Sequence, residues 1–511
     1  MMPRLEDTPR RLAILALFAA LLVTSLVYFA TLYPDHVWGD DYAQYINQAK
    51  LLTEGRSMLD TGYIYSRYDA VIGPVAYPAG FPLLLAPVYA AFGLNIQAYL
   101  VYIIIWHLLA LVFIYLLFLR RVSLPTVLLL ILMMGLSPYV VAFKRLVMSD
   151  APFTLLCIAF LWWVDRLPRE SKTPWRDAGV AALIVLAAFL IRTVGFVLIA
   201  ALWMVDLLRY RRLTRFTLIT TGISIVLVLL SRLIFGSSSD SYFDQFANYS
   251  LEHILATFQH YWVSMMNAFW AGPSLRMGGL AFPYIWLAAI PLVFIGFIAA
   301  CRRQFSVIEC FFVLYNLVIL LWPSWQELRF LYPVLPLFLL YAALGFRDVV
   351  ELVQRWLPTR LIRLGVVGVV GLIGVIYGVR SLETIQTETR YPEGPYTQPA
   401  QEMLDFIRAE TPADAVIMFY KPRALALYTG RSAAAFPSQE SPEVALAWLQ
   451  ETNARYIVVD LDDDPAYTTN ERLLDFIAAR PAAFTRLLEN EGYLIFQINP
   501  DELASTHPTS T

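Results

Sequence analysis

Between residues 10 and 380 the chain repeatedly runs for about 20 residues with scarcely a charge, the length a helix needs to cross a bilayer. Only 15% of the residues are charged and 59% are hydrophobic, against roughly 25% charged in a soluble protein. A large soluble core raises the apolar fraction. It does not strip charge from one long stretch after another, and a bilayer does. The predicted fold class is therefore a multispanning α-helical membrane protein.

The chain opens with Arg4, Arg10 and Arg11, then stays apolar to Ala30. That stretch is too long for a signal-peptide core and has no small-x-small cleavage site, so it reads as an uncleaved first span. The arginines put its start in the cytoplasm. Further spans are predicted at 95–119, 123–141, 149–164, 177–191, 193–208, 216–235, 281–300, 305–321, 329–346 and 363–379. With about eleven spans, the basic residues at Arg120–Arg121, 166–176, 209–215, Arg302–Arg303 and 347–363 all fall on the cytoplasmic side. A single long helix over 177–208 would invert every later loop, so the charge pattern favours two short helices meeting near Arg192. The predicted location is the plasma (inner) membrane, multi-pass, with the N-terminus cytoplasmic.

Three segments differ from the spans. Residues 32–94 are polar and aromatic, then turn Pro-rich and apolar (YPAGFPLLLAPVYAAFG), which suits interfacial helices lying against the membrane. Loop 236–280 is long and is placed outside with it. Residues 1–380 are predicted as the transmembrane domain carrying both loops, and 381–511 as an external, periplasmic α/β domain. In that domain DAVIMFY, ARYIVVD and GYLIFQINP read as strands, alternating with amphipathic helices. It has no Gly-rich phosphate loop and no nucleophile elbow.

Basic and acidic side chains nearly balance at a formal net charge of -2, which leaves no basic face for nucleic acid. The cysteines Cys157, Cys301 and Cys310 have neither metal-ligand nor disulfide spacing, and the histidines are scattered. The run Asp460 to Asp464 reads as a solvated loop rather than a cation site.

Most charges flank spans and need no function, but a few stand elsewhere. Asp40 and Asp41 follow the first span, inside HVWGDDYAQY, where adjacent carboxylates either raise a pKa, bind a cation or cap a helix. Lys144, Arg145 and Asp150 occupy a short external turn, where a basic pair suits phosphate or anchors helix ends. Arg192 lies where two short helices meet, and Glu327 and Arg329 open a late span. An arginine there must be paired or face a cavity. Pairing among Asp40, Asp150, Arg192 and Arg329 competes with a catalytic role.

Taken in order, these segments resemble the membrane glycosyltransferases of the GT-C fold that use polyprenyl-phosphate sugars, near the bacterial protein O-mannosyltransferase and aminoarabinose transferase branches. The resemblance covers most of 10–380. It is carried by GDDYAQYINQAKLL, by YPAGFPLLLAPVYAAFG, by KRLVMSDAPFTLLCIAFLWW, by LIRTVGFVL and by LRFLYPVLPLFLL. The acidic pair usually reads Asp-Glu and is Asp-Asp here. The Arg192-Thr193 order is also reversed. GPVAYP lacks the lysine of the lipid A branch, which argues against aminoarabinose transfer, and no β-trefoil insert is visible.

The resemblance implies a sugar transferred from a polyprenyl-phosphate donor to an acceptor hydroxyl outside the membrane, with inversion. Asp40, with Asp41 beside it, would act at the acceptor. Lys144, Arg145, Arg192 and Arg329 would meet the donor phosphate, and Asp150, Glu327 and Tyr77 would orient groups or touch the acceptor. No cofactor is required. A divalent metal is an option rather than a need, because the leaving group is a monophosphate, and Asp40 and Asp150 would hold it. Partners would be the lipid-linked donor, membrane lipid, and a lipid, glycan or protein acceptor. A lipid-linked sugar transporter (flippase) and a non-catalytic assembly subunit on the same fold are the competing readings.

Overall fold

The computed structural model describes residues 10–167, 174–235, 250–269, 274–277, 280–322, 327–461 and 470–505. The chain forms two compact units. One contains Met1–Tyr33, Tyr99–Gly236 and Tyr249–Thr389, and the other Pro34–Ala98, Ser237–Asn248 and Arg390–Thr511.

The first unit is a helical bundle. Among the described residues, six helices are long and apolar enough to cross a membrane: Arg11–Ala30, Ile96–Phe118, Pro174–Ile191, Thr193–Tyr210, Arg215–Phe235 and Thr359–Thr387. Not every predicted span is one uninterrupted helix of that kind. The span expected over 123–141 stops at Gly135, because Pro138 lacks the N–H needed to continue it. A new short helix, Pro138–Phe143, starts there, capped by the Ser137 hydroxyl, which accepts from the Val140 N–H. Val307–Leu320 is also short, and its start is closed by a capping box between Ser306 and Glu309.

The break expected near Arg192 is present. Helix Pro174–Ile191 ends, Arg192 is extended at φ -146°, and a 3-10 turn over Thr193–Phe196 leads into Val197–Tyr210. Basic loops meet one another as well. Arg121 pairs with Asp165 and donates to the Ser306 hydroxyl at 3.0 Å, while Arg209 donates to the Phe305 carbonyl at 3.1 Å. The loops near 121, 165, 209 and 305 therefore gather at one end of the bundle.

Helix Tyr284–Gln304 packs closely against Leu335–Val353. Gly296 and Gly345 make this possible, as small residues do where transmembrane backbones approach. A Cβ on Gly296 would overlap the Tyr341 carbonyl oxygen, and one on Gly345 the Leu292 carbonyl oxygen. Backbone cannot swing away as a side chain can. Gly345→Ala should therefore force the helices apart, at a cost of about 1–3 kcal/mol. Thermal melting of the detergent-solubilised protein checks this, and an unchanged midpoint would show that the contact is loose.

The second unit is built on a five-stranded sheet of order β4-β3-β5-β7-β6, with β3 Val416–Met418, β4 Ser432–Ala434, β5 Ala454–Asp460, β6 Phe484–Glu489 and β7 Tyr493–Ile498. A two-stranded hairpin in the first unit supplies β1 Ser274–Met277 and β2 Leu280–Pro283. In the larger sheet β3 runs parallel to β4 and β5, and β7 is antiparallel to β5 and β6. Trp448, Ile457, Val459, Phe476 and Phe484 fill its core. The sequence reading anticipated β3, β5 and β7. It missed β4, which is three small residues long, and β6, whose residues are largely exposed.

The division of the chain also differs from the expected one. Helix Thr359–Thr387 runs straight through residue 380, so the change of unit falls at Arg390. The expected first loop joins the sheet unit instead of the helical one. Ile64 N–H donates to the Ala433 carbonyl and Ala433 N–H to the Gly62 carbonyl, both at 2.9 Å, adding a short parallel bridge beside β4. Trp38 donates to the Tyr493 hydroxyl at 2.8 Å and meets the Phe419 ring edge-on. Two segments some 300 residues apart along the chain thus share one hydrophobic core, which local patterning does not report.

Candidate active site

Asp40 is the first residue of helix Asp40–Thr53, so the acidic pair sits in the first turn, where the helix dipole favours negative charge. The next turns are buried on nearly every face, from Tyr42 to Ala49, which anchors the pair firmly. Asp41 accepts from the Tyr77 hydroxyl at 2.5 Å, with an Arg423 terminal nitrogen at 3.4 Å. Tyr77 is clamped by Gln48, which accepts from the Tyr77 N–H at 3.1 Å and donates to its carbonyl at 3.0 Å. Tyr77 thus holds Asp41.

Asp40 is engaged on one side only. Its Oδ1 accepts from the Ala424 N–H at 3.3 Å, at the start of helix Pro422–Thr429. Its Oδ2 is buried and has no hydrogen-bond partner among the described residues. Burial raises the carboxyl. Arg423, Lys421 and the Ala424 N–H pull it back, Asp41 pushes it up again, and it stands at about 6. Such a carboxyl is largely ionised at neutral pH and still avid for a proton, as a general base must be. Beyond it, Tyr42 donates to Tyr428 at 3.2 Å and Tyr428 to Tyr396 at 3.0 Å, with His36 stacked on the Tyr42 ring.

The helical unit holds a second cluster. Asp150 opens helix Asp150–Arg166 and is fully buried. It forms an ion pair with Arg192, and Arg329 Nε lies 3.7 Å from its other oxygen. Arg192 also lies over the Phe330 ring at 4.8 Å. The structure therefore gathers three of the four residues named in the pairing reading, while Asp40 belongs to the other unit. Asp150 thus lies between two guanidiniums.

Lys144 and Arg145 are not exposed side chains on a turn, for both are buried. Lys144 donates to the Thr31 carbonyl at 2.5 Å, and Arg145 pairs with Glu388 and lies over the Tyr33 ring at 5.3 Å. Glu388 was not foreseen, because nothing local marks it as a partner for residue 145. The Glu327 side chain and residues 462–464 of the DLDDD run lie outside the described residues. Among the described residues no group of three or more His, Cys, Asp or Glu gathers as a metal-ligating set. Sequence reasoning also missed Lys421 and Arg423. The signal available was a basic pair around Pro422 just past the strand DAVIMFY, where a helix begins.

Residues 17–403 match the Alg9-like mannosyltransferase family. No curated protein sequence matches the chain. Among solved structures, the chain is similar to the archaeal oligosaccharyltransferase AglB from Archaeoglobus fulgidus, in complex with an inhibitory peptide and a dolichol-phosphate. The TM-score is 0.60 at 12% identity, over 88% of this chain and 69% of that one. It is also similar to ArnT from Cupriavidus metallidurans bound to undecaprenyl phosphate, with a TM-score of 0.55 at 12% identity over 94% of this chain and 97% of that one. At such identities the likeness is one of fold, and that fold is the GT-C fold of membrane glycosyltransferases.

Proposed function

The chain belongs to the Alg9-like mannosyltransferase family, and on that premise we propose that it moves a sugar from a polyprenyl-phosphate donor to an acceptor hydroxyl, with inversion. It is a glycosyltransferase and an integral, multi-pass membrane protein, which sets the transporter reading aside. The proposal adds about eleven spans with their basic ends cytoplasmic, a plasma-membrane location, and the acidic-pair segment and C-terminal sheet on the external side.

The observation that carries the mechanism is the buried Oδ2 of Asp40, which has no hydrogen-bond partner among the described residues. It accepts the acceptor's hydroxyl proton as that oxygen attacks the anomeric carbon from the face opposite the phosphate. The C–O bond to phosphate breaks, and the polyprenyl phosphate leaves as an anion. Arg192 and Arg329, the two basic side chains beside Asp150, are assigned to that anion. Lys144 and Arg145, tied to Thr31 and Glu388, are assigned to holding the bundle instead. The lipid phosphates in the AglB and ArnT structures support the donor class. The family name makes mannose the first sugar to test, and a monophosphate leaving group makes a divalent metal optional.

Purified wild type is offered radiolabelled undecaprenyl phosphomannose and a membrane extract. Label should pass to an acceptor, and the labelled fraction identifies the acceptor class. No transfer from this donor or its glucose and arabinose counterparts would favour the assembly-subunit reading. The pH dependence follows from Asp40. Transfer should rise with pH through about 6, as the carboxylate forms, and level off above it. A profile flat from pH 5 to 8 (about three units) would remove Asp40 from the chemical step.

A further inference from the structure

We infer that Arg423, from the C-terminal part of the chain, is the positioning residue of the acidic pair, holding Asp41 and Tyr77 in place beside Asp40. The inference rests on Asp40 being the base of the proposed transfer, and it gives the C-terminal sheet unit a part in that chemistry.

Arg423 is among the largest fully buried side chains in the protein. A buried guanidinium is costly unless its donors are met, and here both terminal nitrogens are engaged while Nε has no hydrogen-bond partner among the described residues. One terminal nitrogen donates to the Pro74 carbonyl at 2.6 Å, and the other to the Tyr77 hydroxyl at 2.9 Å. That second nitrogen also lies 3.4 Å from Asp41. The Tyr63 and Tyr77 rings each stand 4.9 Å from the guanidinium carbon. Gly73 closes the remaining side. At φ +94° it holds its backbone where a Cβ would sit 3.1 Å from an Arg423 nitrogen and 3.3 Å from the Tyr77 hydroxyl.

The arrangement divides the labour between the two acids. Tyr77 and Arg423 hold Asp41 in place. Among the described residues, Asp40 accepts only from the Ala424 N–H, donated by the residue after Arg423. Anchoring Arg423 therefore also sets where that N–H points. The titratable and charged groups around Asp40 are Asp41 and Tyr42 on its own helix, Tyr63 from the loop, and Lys421 and Arg423 from the C-terminal segment. Of these, Lys421 and Arg423 are the cations that lower its proton affinity.

Two readouts test the inference on the full-length protein in detergent. The first is carbodiimide labelling of Asp40, read by mass spectrometry across pH, since the reagent needs the protonated acid. The wild-type midpoint is expected near 6. In Arg423→Gln it should move upward, because a cation has gone. The second is transfer from radiolabelled undecaprenyl phosphomannose by Arg423→Lys. This variant keeps the charge and loses the planar fork. Its labelling midpoint should stay near that of the wild type, while transfer falls roughly ten- to hundredfold through misplacement of the pair. An unmoved midpoint in folded Arg423→Gln, or full transfer by Arg423→Lys, would overturn the inference. If Arg423→Gln does not fold, the Lys variant decides. A midpoint that shifts as expected while the wild type transfers nothing would retire the glycosyl-transfer reading and support the electrostatic role of Arg423.

Discussion

Asp40→Asn should lower transfer by roughly a hundred- to ten-thousandfold, and the same variant should melt higher than wild type at pH 7.5. Loss of the base removes the group that takes the acceptor's proton. Asn keeps the shape and still accepts from the Ala424 N–H, so the helix start survives. The stability gain has a definite sign. The folded Asp40 carboxyl, at about 6, lies above its ordinary value of 3.8. Stability from the protonated form is thus complete below about 3.8 and is lost as pH rises through about 6. At pH 7.5 the wild type bears the whole cost of an ionised, poorly partnered carboxylate, and Asn bears none. Activity lost with stability gained is the mark of a group kept for function. An Asp40→Asn protein that is inactive and melts lower would instead point to a structural carboxylate.

The second large effect is expected at Asp150. Asp150→Asn removes the buried charge that Arg192 and Arg329 share. Breaking a buried ion pair from one side typically costs 3–5 kcal/mol, about enough to lower the melting midpoint by many degrees. Two guanidiniums that lose their shared carboxylate should then bind an anionic lipid more avidly. Undecaprenyl phosphate should therefore raise the melting temperature of Asp150→Asn by more than that of wild type, by mass action on the folded state. A variant that melts like wild type would show that the trio contributes little. A variant destabilised but indifferent to the lipid would detach Arg192 and Arg329 from the phosphate.

The elements legible in sequence were those specified by local pattern. Charge-free stretches marked helices such as Ile96–Phe118 and Arg215–Phe235. The basic residues of the later loops marked a break near Arg192, because one long helix there would have put them on the wrong side of the bilayer. Alternation and β-branching marked β5 and β7. Pro138 could have shortened the span expected over 123–141, but mean hydropathy over a window outweighed a single residue.

The acidic pair, the basic residues and Tyr77 could be named from their types and places, since charges beside apolar runs are few. Their partners could not. Arg145 with Glu388, Asp150 with Arg192 and Arg329, and Asp41 with Arg423 join positions up to hundreds of residues apart. Solvation cost is a local property, so a lone chain reveals which groups cannot stay bare in an apolar setting. Which group relieves each of them depends on how distant segments pack. That packing gave the first polar loop to the C-terminal sheet and set Arg423 against the acidic pair.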